Sequence, residues 1–519
     1  MNLNFRSIAV LPAARQFHDN QWIRGRSWAL RMTIFCTVLF MYRPATGREL
    51  TDSTIRESIG KHILYETAIA PGQVDIKVND GIVMLSGTVN NLLRKDRVRQ
   101  IAESIRGVRS VVNTVAVKPV VRENEVIARD VRNSLPQIPP DHGMDVSVSV
   151  DAGVVTLNGT ADSWVLNRLA VHQAMSIKGV SEVVNLIDIK ARLERDDKDL
   201  GLDVKRRLAA DLYVDDALIE VTVKGGRVAL EGIVGTAAEK RRAAEDAWIY
   251  GVAAVENKDL IVDWQEKDHM RRASPYISQS DQTILRAVED ALLMDPRVNA
   301  YNPDIFVVNG AVTLSGAVDT LYAKQAAADD ARSTTGVWSV DNQLKLRYRF
   351  FPPDNEVASI IEDVFRRDAE LHALDIIAAV KDNHVRLSGS VDTMGQKVRA
   401  ENIATQIEGV LTLDNRITVN AKADRPSDAD ISAAIVDELF WSPYVDGDRI
   451  GVTVKDGQAV LTGNAAGRFV AHAAVQNAFE GGAETVWTKL VLDDGSTLNE
   501  VFREDTYQFR PGRIFSFRP

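Results

Sequence analysis

The sequence predicts an α+β protein: a tandem array of six small αββαβ modules, each a three-stranded mixed sheet with two helices on one face. Three observations carry that expectation. A strand of the form x-V-x-L-x-G occurs six times, as "GIVMLSG", "GVVTLNG", "GRVALEG", "GAVTLSG", "NHVRLSG" and "GQAVLTG". Its glycines (Gly87, Gly159, Gly232, Gly316, Gly389 and Gly463) are 72, 73, 84, 73 and 74 residues apart. A second glycine follows 19 or 20 residues later and opens a shared signature in five copies: "GVRSVVN", "GVSEVVN", "GVAAVEN", "GVWSVDN" and "GVLTLDN". The sixth copy has drifted to "GAETVWT". Recurrence at a near-constant period marks a repeat array.

The first copy shows the order of elements. "STIRESIGKHILYE" sets Ile55, Ile59 and Ile63 on one helical stripe. In "QVDIKV" Val74, Ile76 and Val78 alternate, as on a half-buried strand. A tight turn follows at Gly81, matched by Gly153, Gly226, Gly310, Asn383 and Gly457. Asparagine is the side-chain-bearing residue that best tolerates positive φ, so the exception fits the same hairpin. The next strand places Val83, Leu85 and Val89 inward. "LLRKDRVRQIAESIRG" reads as a second helix burying Val98, Ile101, Ala102 and Ile105, with Gly107 beyond its end. "SVVNTVAV" closes the unit. The Leu-x-Gly glycine shares the inward face, and its expected role is structural. Either it admits a helix backbone closely or it bulges the strand toward the second helix. No G-x-G-x-x-G or Walker spacing accompanies it.

These periods place copies at 51–118, 124–191, 196–263, 279–347, 354–420 and 427–493. A 264–278 linker separates two groups of three, where relative motion or a processing site is expected, and a tail spans 494–519. Each unit of about 70 residues is marginally stable alone, and linked beads are expected rather than one solenoid. Before the first copy, Arg24, Arg26 and Arg31 precede "MTIFCTVLFMY" and the small-residue site Ala45-Thr46-Gly47. That is a secretory signal, residues 1–47, with an apolar core too short for a comfortable membrane span. An uncleaved anchor is the alternative. Residues 1–47 hold six arginines, one aspartate and the sole cysteine, Cys36. The mature chain therefore has 56 basic and 71 acidic residues and no thiol or disulfide chemistry. Its acidity argues against bulk nucleic-acid binding.

The x-V-x-L-x-G strand, the second helix and the G-V-x-x-V-x-N strand resemble the BON domain, over about residues 51–492. That family is named for bacterial osmotically inducible periplasmic proteins and nodulation-related proteins. The resemblance implies a periplasmic or envelope protein without enzymatic activity, associated with phospholipid or membrane surfaces, envelope maintenance and osmotic stress; some members are chaperones. Well-known members carry two or three copies, and six is a departure.

The residues themselves give no sign of catalysis. The eight histidines occupy unlike repeat positions without metal-ligand spacing, and no G-x-S-x-G elbow occurs. No catalytic residue, metal, cofactor or small-molecule substrate is expected. Asp80, Asp382 and Asp456 beside the turns are ordinary turn chemistry. Candidate binding residues are Arg94, Lys95, Arg97 and Arg99 on the second helix of copy one and Lys240, Arg241 and Arg242 in copy three. They form either a footprint for phospholipid headgroups or an acidic partner, or solvated helix faces. Phe440, Trp441 and Tyr444 either enter a membrane interface or close the sixth core. The tail "YQFRPGRIFSFRP" either docks on a partner or covers the sixth sheet. Trp164, Trp248 and Trp338, at unlike repeat positions, read as separate packing solutions rather than an aromatic platform. The leading expectation is multivalent attachment to the envelope surface; the alternative is a periplasmic holdase that binds unfolded client proteins.

Overall fold

Thr51 starts the first helix of copy one (Asp52–Glu66) with a reciprocal cap: its hydroxyl accepts from the Thr54 N–H at 3.3 Å, and the Thr54 hydroxyl accepts from the Thr51 N–H at 3.0 Å. Asn91 caps the second helix (Leu92–Ser104) by accepting from the Arg94 N–H. Between them the strand Val74–Asn79 pairs antiparallel with Ile82–Val89, and the closing strand Ser110–Asn113 pairs parallel with that same middle strand. The computed structural model describes residues 51–503, apart from short stretches of which 136–142, 191–194, 270–278 and 421–425 are the longest. The segment expected to be a secretory signal and the tail beyond Arg503 lie outside the described residues.

All six copies share this plan, with the Leu-x-Gly strand central in each sheet. In the sixth, Thr497–Leu498 and Val501–Arg503 add antiparallel to the closing strand Thr485–Leu492. Each copy has its own core. In the first, Ile55, Ile59, Ile63, Val83, Leu85, Val98, Ile101 and Val115 are buried together under the two helices. Among the described residues no helix is long and apolar enough to cross a membrane.

Of the two expected roles for the Leu-x-Gly glycine, the structure contradicts helix approach. The six glycines have φ between +113° and +153°. A Cβ on Gly87 would lie 2.2 Å from the Gln73 carbonyl oxygen, where the neighbouring strand begins. That carbonyl accepts from the Thr88 N–H at 3.0 Å. The glycine therefore kinks the central strand so that its next amide reaches the entry of its partner. The crowding comes from strand backbone.

Two side-chain clamps recur among the modules and were not anticipated. Asp52, at the start of the first helix, accepts from the Asp80 and Gly81 N–H groups of the hairpin turn, at 2.8 and 3.0 Å. Asp197, Asp281, Asp354 and Asp428 do the same in copies three to six. Both central turn residues have positive φ, which points their amides the same way; in copy one these are Asp80 and Gly81. These bonds hold the Asp197 carboxyl below the usual carboxylate range. Asp197→Ala is expected to speed hydrogen exchange of the Gly225 and Gly226 amides while leaving the other turns protected, as read by NMR or mass spectrometry. The second clamp is the asparagine of the closing signature. Asn113 donates to the Lys95 carbonyl at 2.8 Å and accepts from the Val115 N–H at 3.2 Å, tying strand to helix. Asn342 and Asn415 repeat it.

The expected linked beads in two separately moving groups do not form. Asn91 of copy one donates to the Ala369 carbonyl of copy five at 3.2 Å. Trp264, in the stretch between the groups, meets Phe440 of copy six edge-on at 6.2 Å. The reason is that polar helix faces carry arginines that find carboxylates on other copies, so the modules gain more by packing together than by staying solvated.

Candidate binding cleft between the first three copies

The second helices of copies one, two and three converge on a cleft of about 390 Å³. Its second-copy wall begins at Ser163, which caps the helix Trp164–Met175 and sets Trp164 at its first position. Its third-copy wall is the helix Ala237–Asp246, whose end places Trp248 opposite. The two indoles stack with centroids 5.7 Å apart and planes 6° from parallel. This corrects the expectation of unrelated tryptophans: unlike repeat positions become neighbours because different copies supply them. Trp338 lies outside the described residues.

Five cations line the cleft, Arg99, Arg109, Arg168, Lys240 and Arg241, against the carboxylates of Glu103 and Glu245. Arg168 lies over Trp164 at 5.1 Å and reaches Glu245 at 3.3 Å. Arg241 bridges copies by pairing with Glu103 and Glu245, both at 3.0 Å. Arg99 pairs with Asp96 and Glu103, both at 2.5 Å. These partners, with Asp80 at 2.9 Å from Arg109, fix the guanidiniums in place. Burial pushes the Lys240 ammonium below its ordinary pKa, partly opposed by Asp259, and no carboxylate lies within ion-pair distance of it among the described residues.

The structure therefore gathers Arg99, Lys240 and Arg241 from two separate basic runs. The other candidates go elsewhere. Arg94 is taken up by Glu370 of copy five at 3.1 Å, with both side chains largely buried. Arg242 packs against the buried Asp211 at 2.5 Å, with the Tyr213 ring 4.5 Å from its guanidinium. Lys95 and Arg97 are half-buried on the second helix of copy one. Phe440 lies beneath the Arg106 guanidinium at 4.6 Å, in a contact between copies six and one. Trp441 ends the helix Asp428–Trp441, and Tyr444 lies outside the described residues.

A titratable group sits behind the cleft. His172 is half-buried, and its desolvation with the nearby Arg399 and Arg168 lowers its pKa to about 4, against the opposing pull of Asp96 and Asp368. Above about pH 6.5 the ring is neutral in both folded and unfolded chains. Between 6.5 and 4 only the unfolded chain takes up the proton, so stability falls as pH falls through that window. From pH 6.5 to 5 the native chain is expected to lose about 2 kcal/mol from this group. His172→Gln should lack that component, measured by urea unfolding at both pH values.

Sheet faces turned away from the helices differ between copies. In copy one Ile82, Met84 and Val112 are exposed. In copy four Phe306 is 60% and Val308 66% exposed, and in copy six Trp487, Val491 and Val501 are exposed. Copy two instead presents Asp145, Ser147, Ser149 and Asp151 along its first strand. Among the described residues, no group of three or more His, Cys, Asp or Glu side chains is placed to hold a metal ion.

The BON domain family model matches residues 51–119, 123–191, 196–263, 280–348, 353–421 and 427–492. Osmotically-inducible protein Y of Escherichia coli (strain K12) is 28% identical over 141 residues, covering 26% of this chain and 70% of that protein. Two structures of CdsD, described as a structural protein of the type III secretion system of Chlamydia trachomatis, align at 18% and 19% identity. They cover 40% and 42% of this chain and 91% and 99% of theirs, each with a TM-score of 0.12. With one αββαβ unit built six times and the family model matched over well more than half of the sequence, this chain belongs to the BON domain family.

Proposed function

We propose that this chain is a non-enzymatic attachment protein of the bacterial envelope, exported from the cytoplasm, that holds anionic phospholipid surfaces in envelope maintenance or osmotic stress. The observation that supports it best is the gathering of five cations around the stacked tryptophans in a chain of net charge −10. A phosphate oxygen entering the cleft would give the half-buried Lys240 a close ion pair, while Arg168 and Arg241 are already oriented by their glutamates. Similarity to osmotically-inducible protein Y supports the stress context. Contacts by several copies raise avidity by ~10²–10⁴ where geometry allows simultaneous engagement.

Flotation with phosphatidylglycerol and phosphatidylcholine vesicles tests this. Binding to the anionic vesicles alone, weakened by 0.5 M salt and roughly tenfold by Lys240→Glu, is the expected result. Failure to float with anionic vesicles overturns it. A second reading, a holdase for unfolded clients, is favoured by the uncovered apolar sheet faces of copies one, four and six. Suppressed client aggregation without vesicle binding supports that reading instead.

A further inference from the structure

The repeat pattern does not say which copies touch, and the contacts follow a rule. At the joint of copies two and five, the end of a second helix meets the end of a first helix. Ile177 and Asp368 form an antiparallel bridge. The Lys178 N–H donates to the Arg367 carbonyl at 2.9 Å, and the Ala369 N–H to the Ser176 carbonyl at 2.8 Å. Copies four and three repeat this contact with the same ends. Asp211 bridges Thr334, Leu212 N–H donates to Ser333 at 2.9 Å, and Thr335 N–H donates to Ala210 at 2.8 Å. In copies one and six the corresponding ends meet through side chains: Arg106 pairs with Asp437 at 3.2 Å and covers Phe440. At these helix ends the partners are thus one with six, two with five, and three with four, while Asn91 and Arg94 of copy one also reach copy five.

Backbone bridges are indifferent to sequence, so selection falls to charge. Four ion pairs among the described residues run between the first three copies and the last three: Lys61–Asp430, Arg94–Glu370, Arg106–Asp437 and Arg206–Asp290. In every one the cation belongs to the first three copies and the carboxylate to the last three. Pairing two first halves would set cation against cation, and two second halves carboxylate against carboxylate.

We propose that the two halves of this chain are mutual binding partners, joined at three nested contacts and selected by ion pairs of a single polarity, and that the connecting stretch is dispensable for their union. The full chain carrying a protease site within residues 270–278 tests this after cutting under native conditions. The expected result is one 1:1 species by size exclusion at micromolar concentration and 0.15 M salt. In the cut protein, Arg94→Glu should weaken half-to-half affinity roughly tenfold or more, and adding Glu370→Arg should restore it. Fragments that separate on the column overturn the proposal, whether folded or not. So does a complex whose affinity is indifferent to both Arg94→Glu and Arg106→Glu.

Discussion

Gly87→Ala is expected to destabilise the first copy by at least about 3 kcal/mol. Two costs add. At φ +116° a Cβ is strained on its own backbone, and it would stand 2.2 Å from the Gln73 carbonyl oxygen. That carbonyl cannot retreat without breaking its bond to the Thr88 N–H. Because a module of this size has little stability to spare, copy one should open and expose Val83 and Leu85 to proteolysis well below the melting temperature of the rest. Gly225→Asn is the control. Gly225 also has positive φ, at +59°, but nothing lies within 4 Å of its Cβ position, and asparagine tolerates that region. A near-native urea midpoint for Gly225→Asn beside a large loss for Gly87→Ala separates crowding from turn propensity. Equal losses would refute the clash.

Arg242→Met should cost about 3–5 kcal/mol, because it strands a buried carboxylate. Burial alone would raise Asp211, but the Arg242 guanidinium and a hydrogen bond from Asp246 hold it below the usual carboxylate range. Asp246 is pushed well above the usual carboxylate range by burial and by the charge of Asp211. Without Arg242, Asp211 must either stay charged in a dry site or take up a proton. Asp211 also lends its backbone to the bridge with Thr334, so the damage should spread to copy four. Equilibrium unfolding should show the loss, and Arg242→Met combined with Asp211→Asn should recover part of it. A double variant no more stable than Arg242→Met alone would show that the stranded charge is not the cause.

The module itself was legible because every copy restates it. The leucine of each central strand, the glycine or asparagine of each turn and the stripe Ile55, Ile59 and Ile63 all follow from local chemistry repeated at one period, and all lie where expected. The Asp52 clamp was missed because aspartate in a first helical turn already has a sufficient local explanation. A signal was present, however: aspartate stands 29 residues before the turn residue in copies one, three, four, five and six, with Asn124 in copy two. The role of Gly87 was misread because alternation reports which face a residue is on, not which backbone crowds it. The cleft was half legible. Arg99, Lys240 and Arg241 stood out as basic runs, but Trp164 and Trp248 come together only through packing between copies. Residues that occur once, such as Arg94 and Glu370, carry no periodic signal, so no repeat analysis could pair them.

The nested pairing sets an order of events as the chain is made. Lys61 waits for a carboxylate 369 positions downstream, the longest separation among these joints. Copies three and four can close first, across the shortest loop, and copies one and six last. A newly made chain would therefore zip from its middle outward. The module that emerges earliest spends the longest time with its joint surface bare, which makes it the one most dependent on prompt completion of synthesis.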